Sequence, residues 1–551
     1  MSSPAITVIE SGAKPVSSKS WRDLDGTLTL TKFIFRRERK RILIWLLVFV
    51  GMLFAFESFV SDLTSTPSEV ADMARFLEGA TGALFGPGYG RADITADKYI
   101  AGVYASFFYI PLALLSINLV ARHTRTEEQN GHAELIRSNV VGRSSQLTAS
   151  MIVAAAINML YAIAIGGVML SAGYDTAESF LFGASVGMIG ILFAGVSALT
   201  SQLTESPRSA TAYAGAVLAV AWVIRLVGDL IEDYGSPLSW VSPLAWSQQT
   251  RPYVDGRWWP LALTLVLTAT TASAGYVLLG KRDIGAGIIP NRPGAPTAVP
   301  WLQSSAALTY RLLRGSILWW TVGLAAMGFV FGAVGDEVAN TENISAERVE
   351  MFGGSIDTVF EGFLGVLTML TAILTSVMMI KGVSLMRQEE VGGRLEPLLA
   401  TDVSRTRWFS GYLAVLLAGA MIVLLAAGLA TGLGAWMVMD DGSFIADATI
   451  AHLAYIPALL VSIGLSCALF GLAPRYLGFT WVMVALGVMA GLMSRSLNLP
   501  CWFMNLSPFE QIGSPMLDGV SVLPTIVLTV LGLVLIGLGF AGFQRRDLTM
   551  K

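Results

Sequence analysis

Arg125-Thr-Glu127-Glu128-Gln-Asn-Gly131-His-Ala-Glu134 and, 262 positions later, Arg387-Gln-Glu389-Glu390-Val-Gly-Gly393-Arg-Leu-Glu396 share one ungapped pattern: an Arg, two adjacent acids, a Gly and a closing Glu. A second Arg ends each stretch, Arg143 and Arg405. Working outward, other landmarks recur in the same order: Pro207-Arg208 with Pro474-Arg475, Ser242-Pro243 with Ser507-Pro508, Asp255-Gly256 with Asp518-Gly519, and Arg282-Asp283 with Arg546-Asp547. Separate landmarks in one order make coincidence a poor explanation. The chain is read as two copies of one unit.

Each copy is mostly apolar. Of 551 residues 54% are hydrophobic and 14% charged, and the mean hydropathy is +0.63, which points to a membrane as the solvent. A helix needs about 20 apolar residues to cross about 30 Å of hydrocarbon. Runs of that kind fall at 42–59, 100–120, 151–172, 180–199, 210–227 and 261–279, and again at 317–334, 363–379, 411–437, 453–472, 477–493 and 525–540. The expected fold is therefore an all-α polytopic membrane protein with about twelve transmembrane helices in two six-helix repeats. Six spans per repeat place the two copies in parallel orientation. The expected organisation is a cytosolic arm and interfacial helix over 1–41, a first half over 42–287, a cytosolic linker over 288–307 containing Pro290, Pro293, Pro296 and Pro300, and a second half over 308–551.

Basic residues near span ends stay in the cytoplasm. Placing both termini inside the cell membrane puts about 28 of the 36 Lys and Arg on the cytoplasmic side. The densest cluster, Lys32, Arg36, Arg37, Arg39, Lys40 and Arg41 with Phe33, Ile34 and Phe35 between them, reads as an interfacial amphipathic helix. About forty largely polar N-terminal residues leave no short apolar region before a cleavage site, so the first span is expected to be an uncleaved anchor.

Other classes are disfavoured by the same inventory. Net charge is −3, which gives no electrostatic footprint for nucleic acid. Cys467 and Cys501 cannot build a disulfide framework, and His123, His132 and His452 lack metal-ligand spacing, so no metal is expected.

If the loop is helical, Glu127, Gly131 and Glu134 lie at i, i+4 and i+7 and share a face, as do Glu389, Gly393 and Glu396. That makes an acidic ridge with a gap where glycine permits close backbone approach, suited to a groove on a soluble partner. Leu135 and Ile136, or Leu395, Leu398 and Leu399, could hold the other side against the membrane interface. A solvated amphipathic loop helix is the plainer reading of one copy; recurrence in both argues against it.

The outer face also repeats. Segments 234–257 and 494–523 are rich in Pro and aromatics, with Trp240 and Trp246 in one and Trp502, Phe503 and Phe509 in the other, and are candidates for an outer gate. An ordinary aromatic belt is the alternative. Arg225 and Asp229, at i, i+4 late in the fifth span, are candidate intramembrane charges, with snorkelling toward Glu232 and Asp233 the favoured arrangement. The long outer loop 57–98 is expected to carry a helix around Val70 to Leu77.

The pattern R-x-E-E-x-x-G-x-x-E between the second and third spans resembles the coupling-helix segment of ABC-2 type permeases. With Arg-Asp-Ile-Gly-Ala-Gly at Arg282 to Gly287 and Ser-Pro before the last span of each half, the fused form resembles the polyketide-antibiotic (tetronasin-type) exporter permeases. Gln129 and Val391 depart from that pattern, since members often carry a third acid there.

The resemblance implies that Arg125, Glu127, Glu128, Gly131 and Glu134, and Arg387, Glu389, Glu390, Gly393 and Glu396, dock two copies of a cytosolic ABC ATPase. No G-x-x-x-x-G-K-[ST] loop occurs, so this chain is expected to hold no cofactor and to catalyse nothing itself, with ATP and Mg on the partner. The function implied is efflux of hydrophobic or amphipathic compounds, such as antibiotics, by alternating access. A proton-coupled secondary transporter, which also uses twelve spans, would need a mid-membrane carboxylate or His relay that these spans mostly lack. A membrane enzyme would need one acidic or His cluster rather than two matched loops.

Overall fold

The computed structural model describes residues 23–548 apart from 65–66, 79, 91–92, 139–140, 233, 291–296, 298, 334–357, 493–499 and 518. Most of the N-terminal arm, the linker residues Pro293 and Pro296, and Asp233, Asp518 and Met493 lie outside the described residues.

The chain divides into two compact units, Met1–Gly294 and Ala295–Lys551. In the first, six helices are long and apolar enough to cross a membrane: α1 (Thr27–Leu63), α2 (Ala96–Gln129), α3 (Ser145–Ser171), α4 (Thr176–Leu203), α5 (Pro207–Ile231) and α6 (Pro260–Lys281). In the second there are five: α7 (Ser305–Gly332), α8 (Val359–Val391), α9 (Arg405–Met439), α10 (Ser443–Leu472) and α11 (Val522–Arg545). The protein is thus an all-α polytopic membrane protein, with eleven such helices among the described residues. The span expected at 477–493 is instead a broken run, 3₁₀ over Pro474–Thr480, α over Trp481–Gly487 and π over Val488–Leu492.

Helix starts follow local chemistry. Asp175, Ser304 and Ser404 cap α4, α7 and α9 by accepting from a backbone N–H three residues on. Proline opens α5 and α6, where its missing N–H costs nothing. The helices then sort by burial. In the first unit α4 is buried over 78% of its apolar window while α1 and α6 are buried over only 17%, so α4 is central and the other two present Leu47, Leu265 and Val266 outward, as lipid requires. Phe49, Phe108, Phe182 and Phe193 fill this core. In the second unit α8 and α10 are the buried pair, packed around Phe409, Phe470 and Phe543.

Close helix contact rests on small residues, because lipid leaves no hydrophobic force between apolar helices. A Cβ on Gly471 would meet the backbone of Gly539, and one on Gly532 the backbone of Leu460, so α10 and α11 touch almost backbone to backbone. Basic residues 32–41 do not form a separate interfacial helix; they are the first turns of the unbroken α1, with Ile34 and Glu38 buried and Phe33 and Phe35 exposed. In the loop 57–98 a helix at Pro67–Glu78 covers the expected Val70–Leu77.

Candidate functional site

The duplicated segment lies where α2 and α8 end. In the first unit α2 passes through a π turn at Arg122–Thr126 and stops at Gln129. Gly131 follows with φ +74°, and a six-residue helix, His132–Arg137, starts in a new direction. In the second, α8 stops at Val391, Gly393 has φ +68°, and Leu395–Leu399 follows. The Gly131 N–H donates to the Glu128 carbonyl and the Gly393 N–H to that of Glu390, each at 3.1 Å.

This corrects the single-helix reading. Glu127, Gly131 and Glu134 share no continuous face, because the glycine is a left-handed helix stop. Close approach is not its purpose either, since a Cβ on Gly131 or Gly393 would meet nothing within 4 Å.

The paired acids also divide. Glu128 keeps only 5% of its side chain exposed: it accepts from Arg125 Nη1 at 2.8 Å, from Arg282 Nη1 and Nη2 at 2.9 and 2.7 Å, and from the Gly285 N–H at 3.3 Å. Glu390, 1% exposed at the side chain, takes the same place between Arg387 at 2.9 Å and both Nη groups of Arg546. Arg143 donates to the Arg282 carbonyl and Arg405 to the Arg546 carbonyl, each at 2.7 Å. The same four-residue clasp, Arg-Glu-Arg with an Arg on the third member's backbone, therefore closes in both units. It ties the loop to the end of α6 in one and of α11 in the other.

Arg125 also donates through Nε to the Ser201 carbonyl and through Nη2 to that of Ala286, and Arg282 Nε donates to Gln202 Oε1 at 2.7 Å, which adds α4 to the first clasp. Glu128 and Glu390 are thus engaged inside the clasps and do not lie open on an acidic ridge. Burying a carboxylate demands charged donors around it, and these two have them.

Of the remaining acids Glu127 is also buried, and the others lie nearer the surface. Glu127 pairs with Arg37 of α1 at 2.6 Å and His132 at 2.8 Å. Glu389 forms a forked pair with Arg394, both bonds 2.9 Å, which raises the Arg394 pKa above its ordinary value. Glu134 and Glu396 are exposed. Leu395 is buried in the core of its unit with Leu398 and Leu399 packed behind it, so in the second copy these leucines anchor the segment to the helices and not to a membrane interface; Leu135 is 68% exposed.

At the opposite end of the first unit, a 3₁₀ turn at Ser239–Val241 and the helix Pro243–Gln248 lie along α5. Ser242 Oγ donates to the Ala221 carbonyl at 2.6 Å, and the bare Gly228 admits the Ser239 backbone. Trp240 and Trp246 are joined by an indole N–H to carbonyl bond of 2.7 Å, and Trp240 stacks on Trp259 at 5.2 Å. Arg225 and Asp229 do not snorkel. They are 1% and 8% exposed and pair at 3.5 Å, and Asp229 accepts a second bond from Ser239 Oγ at 2.7 Å, so the pair fastens the segment after α5 back onto it. In the second unit Trp502 is 67% exposed against Phe503, whereas Phe509 is fully buried and separate from them.

Sequence reading missed Arg282 and Arg546 as partners of the acids, although both had been seen as repeat landmarks. An Arg recurring in register at the end of the last span, opposite an acid recurring in register at the end of the second, was the usable signal.

Two units of apolar helices, each carrying a matched charged loop, define a multi-pass membrane protein. A family profile described as "Multidrug efflux system permease Rv1217c, C-terminal domain" matches residues 29–279 and 302–544. The chain belongs to that family. It is also 34% identical over 534 residues, 95% of each chain, to the multidrug efflux system permease protein Rv1217c of Mycobacterium tuberculosis (strain ATCC 25618 / H37Rv).

Proposed function

We propose that this chain is the membrane subunit of an ATP-binding-cassette exporter, of the ABC-2, tetronasin-type branch, that moves hydrophobic or amphipathic compounds out of the cell. The relative's printed function, multidrug efflux, supports the direction and the cargo class. The observation that carries the rest is the doubled clasp. A loop held at its base by buried ion pairs while Glu134 and Glu396 stand exposed beyond a glycine stop is a rigid handle for a soluble partner, and two handles suit two ATPase copies. Nucleotide closure of those copies moves the handles, and the clasps pass the displacement to α4 and α6 in the first unit and to α11 in the second, driving alternating access.

The test is co-purification of the full chain with its ATPase, wild type against Glu134→Lys with Glu396→Lys. Reversing both exposed charges is expected to weaken association and abolish substrate-stimulated ATP turnover. A double variant that binds and stimulates normally sinks the docking assignment.

The proton-coupled alternative has one observation in its favour, the buried Arg225–Asp229 pair. There an acid already fastened to Arg225 and Ser239 reads as a structural pin.

A further inference from the structure

Beside the first clasp, α1, α2 and α3 enclose a cavity of about 240 Å³. One end is charged. Glu38, 4% exposed, accepts from Arg122 Nη1 at 3.1 Å and Arg41 Nη1 at 3.5 Å and is bonded to His123 Nε2 at 2.9 Å. Arg41 and Arg122 keep 53% and 31% of their side-chain surface open, and each uses one Nη on Glu38. Two guanidiniums around one carboxylate leave excess positive charge and free donors, and Asn118 adds a lining amide. The rest of the lining is mostly apolar, with Trp45, Leu119 and Ile157, and Asn158 Nδ2 donates to Ser116 Oγ at 2.9 Å within it.

The repeat shows that this lining is not something the fold requires. Aligning Ile42-Leu43 and Trp45 with Ile317-Leu318 and Trp320 sets Glu38 opposite Leu313. At the 262-residue spacing of the loops, Ser116, Asn118, Arg122, His123 and Asn158 become Met378, Ile380, Ser384, Leu385 and Ala420. Leu313, Met378, Ile380 and Ala420 are all buried apolar core. The clasp recurs in both units, whereas the charged lining of this cavity is replaced at the matching positions of the second.

We propose that this cavity is a binding site for an anionic phospholipid of the surrounding bilayer, its phosphate between Arg41 and Arg122 and its upper acyl chain against Trp45, Leu119 and Ile157. The position supports a bilayer occupant: Arg41 begins the apolar run of α1 and Arg122 follows that of α2, so the charged end lies at headgroup depth and the apolar end at acyl depth. The site is independent of the ATPase assignment and needs only that the helices span a membrane.

The experiment uses the purified full chain in detergent, mixed with phosphatidylglycerol or phosphatidylcholine, with bound lipid counted by native mass spectrometry. Wild type is expected to retain phosphatidylglycerol in preference. Arg41→Gln with Arg122→Gln should lower that retention about tenfold, one or two charge-assisted bonds. Ser116→Met with Asn158→Ala, the residues of the second unit, should lower it because the methionine fills the cavity, and this variant decides the matter if the arginine variant does not fold. Glycerol phosphate, which has no acyl chain, should fail to displace the lipid. Equal retention of both lipids by the wild type, retention unchanged in a folded variant, or displacement by glycerol phosphate overturns the proposal.

Discussion

Removing the charge of Glu390 should damage the second unit far more than removing that of Glu389, one residue away. Glu390 is 1% exposed at its side chain and holds Arg387 and both Nη groups of Arg546. Glu390→Gln leaves two guanidiniums facing each other without a carboxylate, and breaking a buried pair in this way costs about 3–5 kcal/mol. Glu389 and Arg394 are 19% and 60% exposed at the side chain. Screening by solvent limits that pair to about 0.2–1 kcal/mol.

The assay is reversible unfolding of the full chain in mixed micelles, run as a cycle with Arg546→Gln. Because Arg546→Gln beside Glu390→Gln removes one of the stranded cations, the double variant should be less destabilised than the two single losses add up to, by about 1–3 kcal/mol, as residues in one ion-pair network are. Equal, small losses for Glu389→Gln and Glu390→Gln, or strict additivity in the cycle, would refute the clasp as the element that fixes the loop.

Two further outcomes follow from the geometry. Gly131→Ala or Gly393→Ala meets no steric obstacle but forces an L-residue to φ near +70°, so each should cost about 1–2 kcal/mol of backbone strain. Asn at the same positions should cost less, because it tolerates that conformation, and unfolding midpoints of the four variants check the order. Asp229→Asn keeps the Ser239 bond but leaves Arg225 buried without its carboxylate, so the segment 236–248 should exchange its amide hydrogens faster while protection at α2 and α8 is unchanged. Loss of proton-driven transport with no change in exchange would instead favour the secondary-transporter reading.

Much of the fold was legible because a bilayer imposes a simple length rule. Apolar runs such as Ile42 to Phe59 can hardly be anything but spans, and the duplicated R-x-E-E-x-x-G-x-x-E gave the repeat directly. What was not legible depended on facts outside the period of a helix. The sequence shows Glu127 and Glu128 as equals, and only the approach of Arg282 from 154 residues away makes the second a clasp member and leaves the first to Arg37. Gly131 fits a helix face by spacing yet ends the helix by its φ. Arg225 and Asp229 sat close enough to the span end to suggest water, and the return of Ser239 along α5, made possible by Gly228, encloses them instead.

The proposed outside motor is tested most directly by uphill movement of an amphipathic dye into sealed vesicles holding the full chain, with and without its ATPase and nucleotide, and with and without a proton gradient. Accumulation should require the ATPase and ATP together and be indifferent to the gradient. Accumulation driven by the gradient in vesicles that hold this chain alone would contradict it.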